Sequence, residues 1–278
     1  MRKKLVASAT TPAVRSSVQK LSNGAVKSAQ DDWVASEAPL EVRINGKAST
    51  VLMRTPGHDE ELVRGFLFSE GVIRSASDIV SITPIENANE DFGGSAIAVQ
   101  MGSPRKAPTV DRLFYSNSSC GVCGKKTIAS LEVRGPMAAS HLRVRRSILY
   151  ELPDRLRRAQ PTFAQTGGVH ASGLFTAEGE LIVIREDVGR HNALDKLIGW
   201  AVAAGKVPLS DFILLVSGRV SYELVQKAVV AGIPFIAAVG APSSLAVELA
   251  ERFRLTLCGF LRPGSLNVYA CEERIIDG

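Results

Sequence analysis

Phe212-Ile213-Leu214-Leu215-Val216-Ser217-Gly218-Arg219 is an apolar run that stops at a polar, glycine-containing loop, and related patterns follow it. Residues 234–239 form a second apolar run that ends in Gly240-Ala241-Pro242-Ser243-Ser244, and residues 255–260 form a third. Helical patterns at 222–231 and 244–253 separate the three. Strands that read as continuous apolar runs are buried on both faces, so this order predicts a sheet with parallel strands and helices packed over it. Working outward, residues 192–204 read as an amphipathic helix, 169–176 and 181–185 as a hairpin about Glu178-Gly179, 149–159 as a helix and 266–270 as a last strand. The predicted class is α/β, with a three-layer domain over 111–278.

Upstream the pattern changes. Leu40-Glu41-Val42-Arg43-Ile44 alternates, Asn45-Gly46 signals a type I′ turn, and Val51-Leu52-Met53 resumes the alternation. Thr55-Pro56-Gly57 then opens a helix with Asp59, Glu60 and Glu61 in its first turn, an apolar face of Leu62, Val63, Phe66 and Leu67, and Gly71 at its end. Short strands at 79–82 and 96–101 complete a smaller α+β domain over 31–110, and 102–108 reads as a connector. Residues 1–30 hold six of the 33 Lys and Arg (Arg2, Lys3, Lys4, Arg15, Lys20, Lys27) and no acid, which leaves 27 bases against 28 acids elsewhere. The positive net charge therefore belongs to a basic tail, rich in Ser, Ala and Thr and expected to be disordered, and not to a nucleic-acid face. No run approaches the roughly 18 apolar residues of a membrane helix, and no secretory apolar region stands near residue 1. The acid-poor, Ser-rich tail also suits an organelle transit peptide, and the favoured expectation is a cytoplasmic protein with neither a membrane nor a nucleic-acid partner.

In a sheet of this kind ligands collect outside the carboxyl ends of the strands. The polar runs fall there: Arg185-Glu186-Asp187-Val188-Gly189-Arg190-His191-Asn192, Ser217-Gly218-Arg219, and Gly240-Ala241-Pro242-Ser243-Ser244. Each has a glycine that permits close backbone approach and leads into a helix whose N-terminus favours an anion. Arg190 and Arg219 add forked donors. Together these loops suit a phosphate-rich, nucleotide-like ligand. The competing structural readings are a helix cap for Ser243 or Ser244, surface ion pairs of Arg190 with Asp195 or Glu186, and a hydrogen-bonded strand-start residue for His170.

Cys120-Gly121-Val122-Cys123-Gly124 lies between Ser116-Asn117-Ser118-Ser119 and Lys125-Lys126-Thr127. Two thiols at this spacing can share a metal, form a disulfide, or act as nucleophilic sulfur. A structural zinc site needs four ligands, and Cys258 and Cys271 complete a set only if the fold brings them close. Cys258 stands in an apolar run and reads as a small buried hydrophobe. A thioredoxin-like pair belongs in a βαβ unit, not in a turn-rich, glycine-flanked segment. A zinc deaminase pattern, His-x-Glu followed by Pro-Cys-x-x-Cys, is echoed by His58-Asp59-Glu60 and the Cys pair, with Ser119 in place of the proline. That leaves a zinc-dependent deaminase-like hydrolase, with His58, Cys120 and Cys123 as ligands and Glu60 as proton shuttle, beside a sulfur-carrying thiolate assisted by Lys125 and Lys126.

Taken together, Arg54-Thr55-Pro56-Gly57-His58-Asp59-Glu60-Glu61-Leu62, the Cys120-x-x-Cys123 run, Thr166-Gly167-Gly168-Val169-His170, the run from Glu186 to Lys196, Ser217-Gly218-Arg219 and Ala241-Pro242-Ser243-Ser244 resemble the FdhD family of formate dehydrogenase accessory proteins. The resemblance implies a fold similar to cytidine deaminase and a sulfurtransferase that takes persulfide sulfur from a cysteine desulfurase. It implies delivery of that sulfur to the molybdenum of the bis-molybdopterin guanine dinucleotide cofactor of formate dehydrogenase. On this resemblance Cys120 carries the persulfide, Cys123 accompanies it, and Phe260-Leu261-Arg262-Pro263-Gly264-Ser265 contacts the cofactor. Ser217, Gly218, Arg219 and Arg190 are then expected at a guanine nucleotide arm, with no catalytic metal of the protein's own. A homodimer is expected, and a non-catalytic cofactor chaperone is the other alternative.

Overall fold

The computed structural model describes residues 10–22, 25–89, 94–102, 137–138 and 140–277; Cys120, Cys123 and all but the first residue of the expected 102–108 connector lie outside these. Strands β1 (Ala13–Ser22) and β2 (Ala25–Ala35) pair antiparallel in a sheet of their own. Strands β3 (Ala38–Ile44) and β4 (Lys47–Arg54) follow, joined by Asn45 and Gly46 at φ of 48° and 80°, the two left-handed residues that a type I′ turn requires. Helix α1 (Asp59–Ser69) leads to β5 (Ile79–Asn89) and β6 (Gly94–Met101), which close a four-stranded sheet in the order β4-β3-β6-β5.

The second unit begins with β7 (Val144–Arg145), α2 (Arg146–Arg158), α3 (Pro161–Thr166), β8 (His170–Phe175), β9 (Leu181–Asp187) and α4 (Arg190–Ala203). It continues through β10 (Ile213–Val216), α5 (Tyr222–Val230), β11 (Phe235–Ala238), α6 (Ser244–Arg252), β12 (Thr256–Arg262), β13 (Ser265–Ala270) and β14 (Ile275–Ile276). Six of these strands form a mixed sheet in the order β13-β12-β11-β10-β8-β9, with β10, β11 and β12 parallel. Because side chains alternate across a strand, Ile213, Leu215, Phe235 and Ala237 pack with Leu149, Leu152 and Leu156 of α2. Leu214, Val216, Ile236 and Ala238 enter the opposite cluster, which holds α1, α4, α5 and α6. The mixed α/β class read from the apolar runs is what the chain adopts.

Three differences from the sequence reading have physical causes. Residues 13–22 and 25–30, expected to be disordered, lie in the β1/β2 hairpin. Its pairing is made by backbone bonds between strands that bury little, so no apolar period announced it. The helix expected to open at Thr55 begins at Asp59, because Gly57 and His58 hold φ of 102° and 58° and break the helical path. The units proposed as 31–110 and 111–278 share one core: Leu40, Val42 and Ile97 of the four-stranded sheet belong to the same cluster as Leu194, Leu214 and Leu224.

That fusion runs through the crossing of α1 and α4. A Cβ on Gly65 falls 1.8 Å from the Asp195 carbonyl oxygen, and one on Gly199 falls 1.8 Å from the Glu61 carbonyl oxygen, so the two backbones touch. Overpacking a core costs roughly 1–3 kcal/mol, more where backbone itself must move. Gly65→Ala is expected to destabilise the protein by about 3 kcal/mol or more; urea unfolding measures it, and a midpoint equal to wild type contradicts the close crossing.

Candidate functional site at the carboxyl edge of the six-stranded sheet

The carboxyl ends of β9, β10, β11 and β12 and the amino end of β8 lie along one edge of the sheet. Backbone bonds stitch the loops there: Val239 N–H donates to Val216 O at 3.0 Å, Gly240 N–H to Gly218 O at 3.2 Å and Phe260 N–H to Gly240 O at 3.0 Å. Gly240 has to be glycine, since a Cβ there sits 2.6 Å from the Gly218 carbonyl oxygen. Ser217 Oγ accepts from Ala171 N–H at 2.9 Å, tying the β10 loop to β8.

Three arginines expected at the ligand converge on this edge. Arg190 lies beside Gly218, its Cδ 4.0 Å from where a Gly218 Cβ would stand, and its buried Nε finds no hydrogen-bond partner among the described residues. Arg219 is exposed on the neighbouring loop. Arg262 Nη1 donates at 2.8 Å to both Val239 O and Leu261 O, which folds the end of β12 over the β11 loop. Pro263 and Gly264 make the two-residue turn into β13, with Gly264 at φ 79°. Phe260 is exposed at φ 52°, whereas Leu261 is fully buried in the α2-side cluster, so its side chain faces the core. His170 completes the edge. Its partial burial, and then the Arg190 charge, push its pKa below the ordinary histidine value against the pull of Asp187, leaving the imidazole neutral at pH 7.

Beneath the edge lies a layer of polar residues turned inward. Lys196 Nζ meets Asp187 Oδ2 at 2.7 Å with both side chains buried. Asp187 also accepts from Gly189 N–H at 2.8 Å, Thr55 N–H at 3.0 Å and Asn192 Nδ2 at 3.1 Å. Burial pushes this carboxyl up and Lys196 pulls it down, with the net direction upward. Lys196 Nζ further donates to Thr55 O at 2.8 Å, and Asn192 Nδ2 to Met53 O at 2.7 Å. His191 Nε2 lies 3.2 Å from Ser221 Oγ and 3.7 Å from Glu223, linking the starts of α4 and α5.

The surface ion pairs suggested for Arg190 are not formed. Asp195 is buried and pairs with Lys227 Nζ at 2.8 Å, and Glu186 accepts instead from the N–H groups of Thr162 and Phe163 at 2.9 Å. Ser243 does cap α6, accepting from Ala246 N–H at 3.3 Å. Sequence reasoning missed Thr55, Lys196 and Ser221 as parts of this region, although each stands within or beside a run quoted above.

These observations meet in comparison with known proteins. The profile of the FdhD/NarQ family matches residues 35–276. This chain belongs to the FdhD/NarQ family. The sulfur carrier protein FdhD of Streptomyces avermitilis is 49% identical over 271 residues, covering 94% of this chain and 95% of its own. The protein of the same name from Sulfurisphaera tokodaii is 44% identical over 250 residues, covering 89% and 93%. A crystal structure described as that of a formate dehydrogenase accessory protein from Desulfotalea psychrophila superposes with a TM-score of 0.75 at 27% identity, covering 95% of this chain and 99% of that one.

The Cys-x-x-Cys pair, Cys120 and Cys123, falls outside the described residues. Of the other two thiols, Cys258 is buried in the α2-side cluster and burial pushes it up to about 12, while Cys271 packs against the opposite cluster. Among the described residues no three His, Cys, Asp or Glu side chains converge as a metal-ligating set. His58 instead stands with Nδ1 3.2 Å from Glu61, beside a cavity of about 480 Å³ that also touches Glu60, Leu40, Ser95 and Ile97. No described helix is long and apolar enough to cross a membrane.

Glu61 itself joins the two units, accepting from Arg185 Nε at 2.5 Å and Nη2 at 2.7 Å. Burial works to raise this carboxyl, and the Arg185 guanidinium with His58 outweighs it, holding it at about 2. A carboxylate whose folded pKa is depressed adds stability above its unfolded value, about 4.3, and loses that addition as pH falls through the folded value. The stability advantage of wild type over Glu61→Gln is therefore expected to shrink between about pH 4.5 and pH 2. Urea unfolding across this range measures it, and a constant gap would contradict the pairing.

Proposed function

We propose that this protein is a sulfur carrier that takes persulfide sulfur on Cys120 and passes it to a pterin acceptor bearing guanine nucleotide arms. The observation that carries the reading is its likeness, over nearly the whole chain, to proteins named sulfur carrier protein FdhD. The edge geometry supports the acceptor side of this reading, because three arginines converge where the acids beneath are already paired inward.

In the uptake step the Cys120 thiolate attacks the outer sulfur of a cysteine desulfurase persulfide. A new S–S bond forms at Cys120, the old one breaks, and the donor cysteine leaves as thiolate with the bonding pair. In delivery the outer sulfur passes to the molybdenum of bis-molybdopterin guanine dinucleotide, which is the substrate here. Cys120 then leaves as thiolate, and the acceptor supplies the two electrons that bring that sulfur to the level of sulfide. The protein's part is to hold the nucleotide arms: Arg190, Arg219 and Arg262 offer forked donors to phosphates. The 260–265 segment borders the same loops through Phe260 N–H and Arg262. Formate dehydrogenase is the client, and cytidine-deaminase-like layering, a homodimer and cytoplasmic location belong to the same reading.

After incubation with a cysteine desulfurase and cysteine, mass spectrometry is expected to find one added sulfur on the peptide holding Cys120 and none in Cys120→Ala. Sulfur loading undiminished in that variant overturns the relay. On the acceptor side, Arg219→Ala is expected to weaken GDP binding about ten-fold or more, as fits loss of one charge-assisted hydrogen bond worth about 1.5–3 kcal/mol. Calorimetry measures the affinity. Saturating GDP is also expected to raise the His170 pKa, followed by NMR titration, since an anion beside Arg190 and Arg219 offsets the charges that help lower it.

A further inference from the structure

The loop that presents Arg190 receives little direction from the arginine side chain itself. Its buried Nε has no described hydrogen-bond partner and its Cδ lies against Gly218, so the backbone of residues 187–191 sets the point from which the side chain reaches the edge. That backbone is held from the other unit of the protein. Val188 N–H donates to Thr55 Oγ1 at 3.1 Å, Thr55 N–H donates to Asp187 Oδ2 at 3.0 Å, and Thr55 O accepts from Lys196 Nζ at 2.8 Å. Thr55 is buried, so no water competes freely for these groups. It lies on the turn between β4 and α1, which Arg54 secures by donating from Nε and Nη2 to Asp59 at 2.9 and 2.8 Å and from Nη2 to Ser95 Oγ at 2.7 Å.

We infer that Thr55 is a positioning residue: its hydroxyl, offered by the N-terminal unit, fixes the 187–191 loop and thereby the aim of Arg190 at the carboxyl edge. The consequence for ligand binding rests on the nucleotide reading above, whereas the effect on the loop does not. All three polar groups of Thr55 are engaged, and one of them, the hydroxyl, can be removed without changing the side chain's shape. Thr55→Val removes the acceptor of the half-buried Val188 N–H, while Thr55→Ser keeps it.

The experiment compares the full-length wild type, Thr55→Val and Thr55→Ser by amide hydrogen exchange and by calorimetric titration with GDP, well below the unfolding transition. In the valine variant, exchange at Val188 and Gly189 is expected to rise selectively, and GDP affinity to fall about three- to ten-fold, the scale of one lost hydrogen bond. Serine is expected to restore both. A Thr55 that merely stabilises the fold would speed exchange throughout the chain or lower the thermal midpoint with GDP affinity unchanged, and that result overturns the inference. Unaltered exchange at Val188 and Gly189 overturns it too, whatever GDP does. Selective loosening of 188–189 in a protein whose wild type does not bind GDP sustains the positioning of the loop and removes the nucleotide reading instead.

Discussion

The ion pair of Asp187 with Lys196 is the constraint on which the rest of the structure depends. Both side chains are shut away from water, and a charge buried without its partner typically costs about 3–5 kcal/mol. Such a pair is tolerable only when the remaining donors and acceptors are also used. Here they are: Gly189, Thr55 and Asn192 satisfy the carboxylate, and the carbonyls of Thr55 and Glu186 satisfy the ammonium. Thr55 lies on the turn before α1, and the other partners stand at the end of β9, in the loop that follows it and in the first turn of α4. Folding the second unit without the first would expose this pair half-made.

The same logic explains why α1 and α4 meet glycine on glycine. The pair fixes the starts of the two helices close together, so their axes must cross without side chains between them. Gly65 and Gly199 supply that crossing, and further along it Asp195, Lys227 and the Ser69 hydroxyl form a second buried polar cluster. Two buried ion pairs, one at each end of the contact, leave the helices a single register. Arg185 with Glu61 and Arg54 with Asp59 extend this pairing toward the surface.

Much of the fold was legible because its signals are local. Apolar runs at 212–216 and 234–239 correspond to β10 and β11, and Asn45-Gly46 gave the turn between β3 and β4. The β1/β2 hairpin was not legible, since Val14, Ser16 and Val18 alternate with Arg15, Ser17 and Gln19 without a buried face to mark a strand. Of the edge, the glycine and arginine content was readable and the division of labour within it was not. The run from Glu186 to Lys196 reads as a ligand loop, yet Asp187, Asn192 and Lys196 turn inward while Arg190 stays at the edge. Spacing alone cannot make that separation, because Thr55, which bonds both Asp187 and Lys196, and Met53, which takes Asn192, lie more than a hundred residues away in sequence.

That separation has an electrostatic consequence. A sheet edge lined by arginines attracts phosphate only if nearby carboxylates do not neutralise it. Asp187 and Asp195 are each bound to a lysine below the surface, and Glu186 is taken up by the N–H groups at the start of α3. Glu223, under competing burial and the hydrogen bonds of His191 and Ser221, is held at about 2 and spends its charge on those two neighbours. With the acids engaged and His170 uncharged at pH 7, positive potential at the edge comes from arginine, whose charge does not titrate in the working range. The inward pairing that joins the two units is therefore also what leaves Arg190, Arg219 and Arg262 available at the surface.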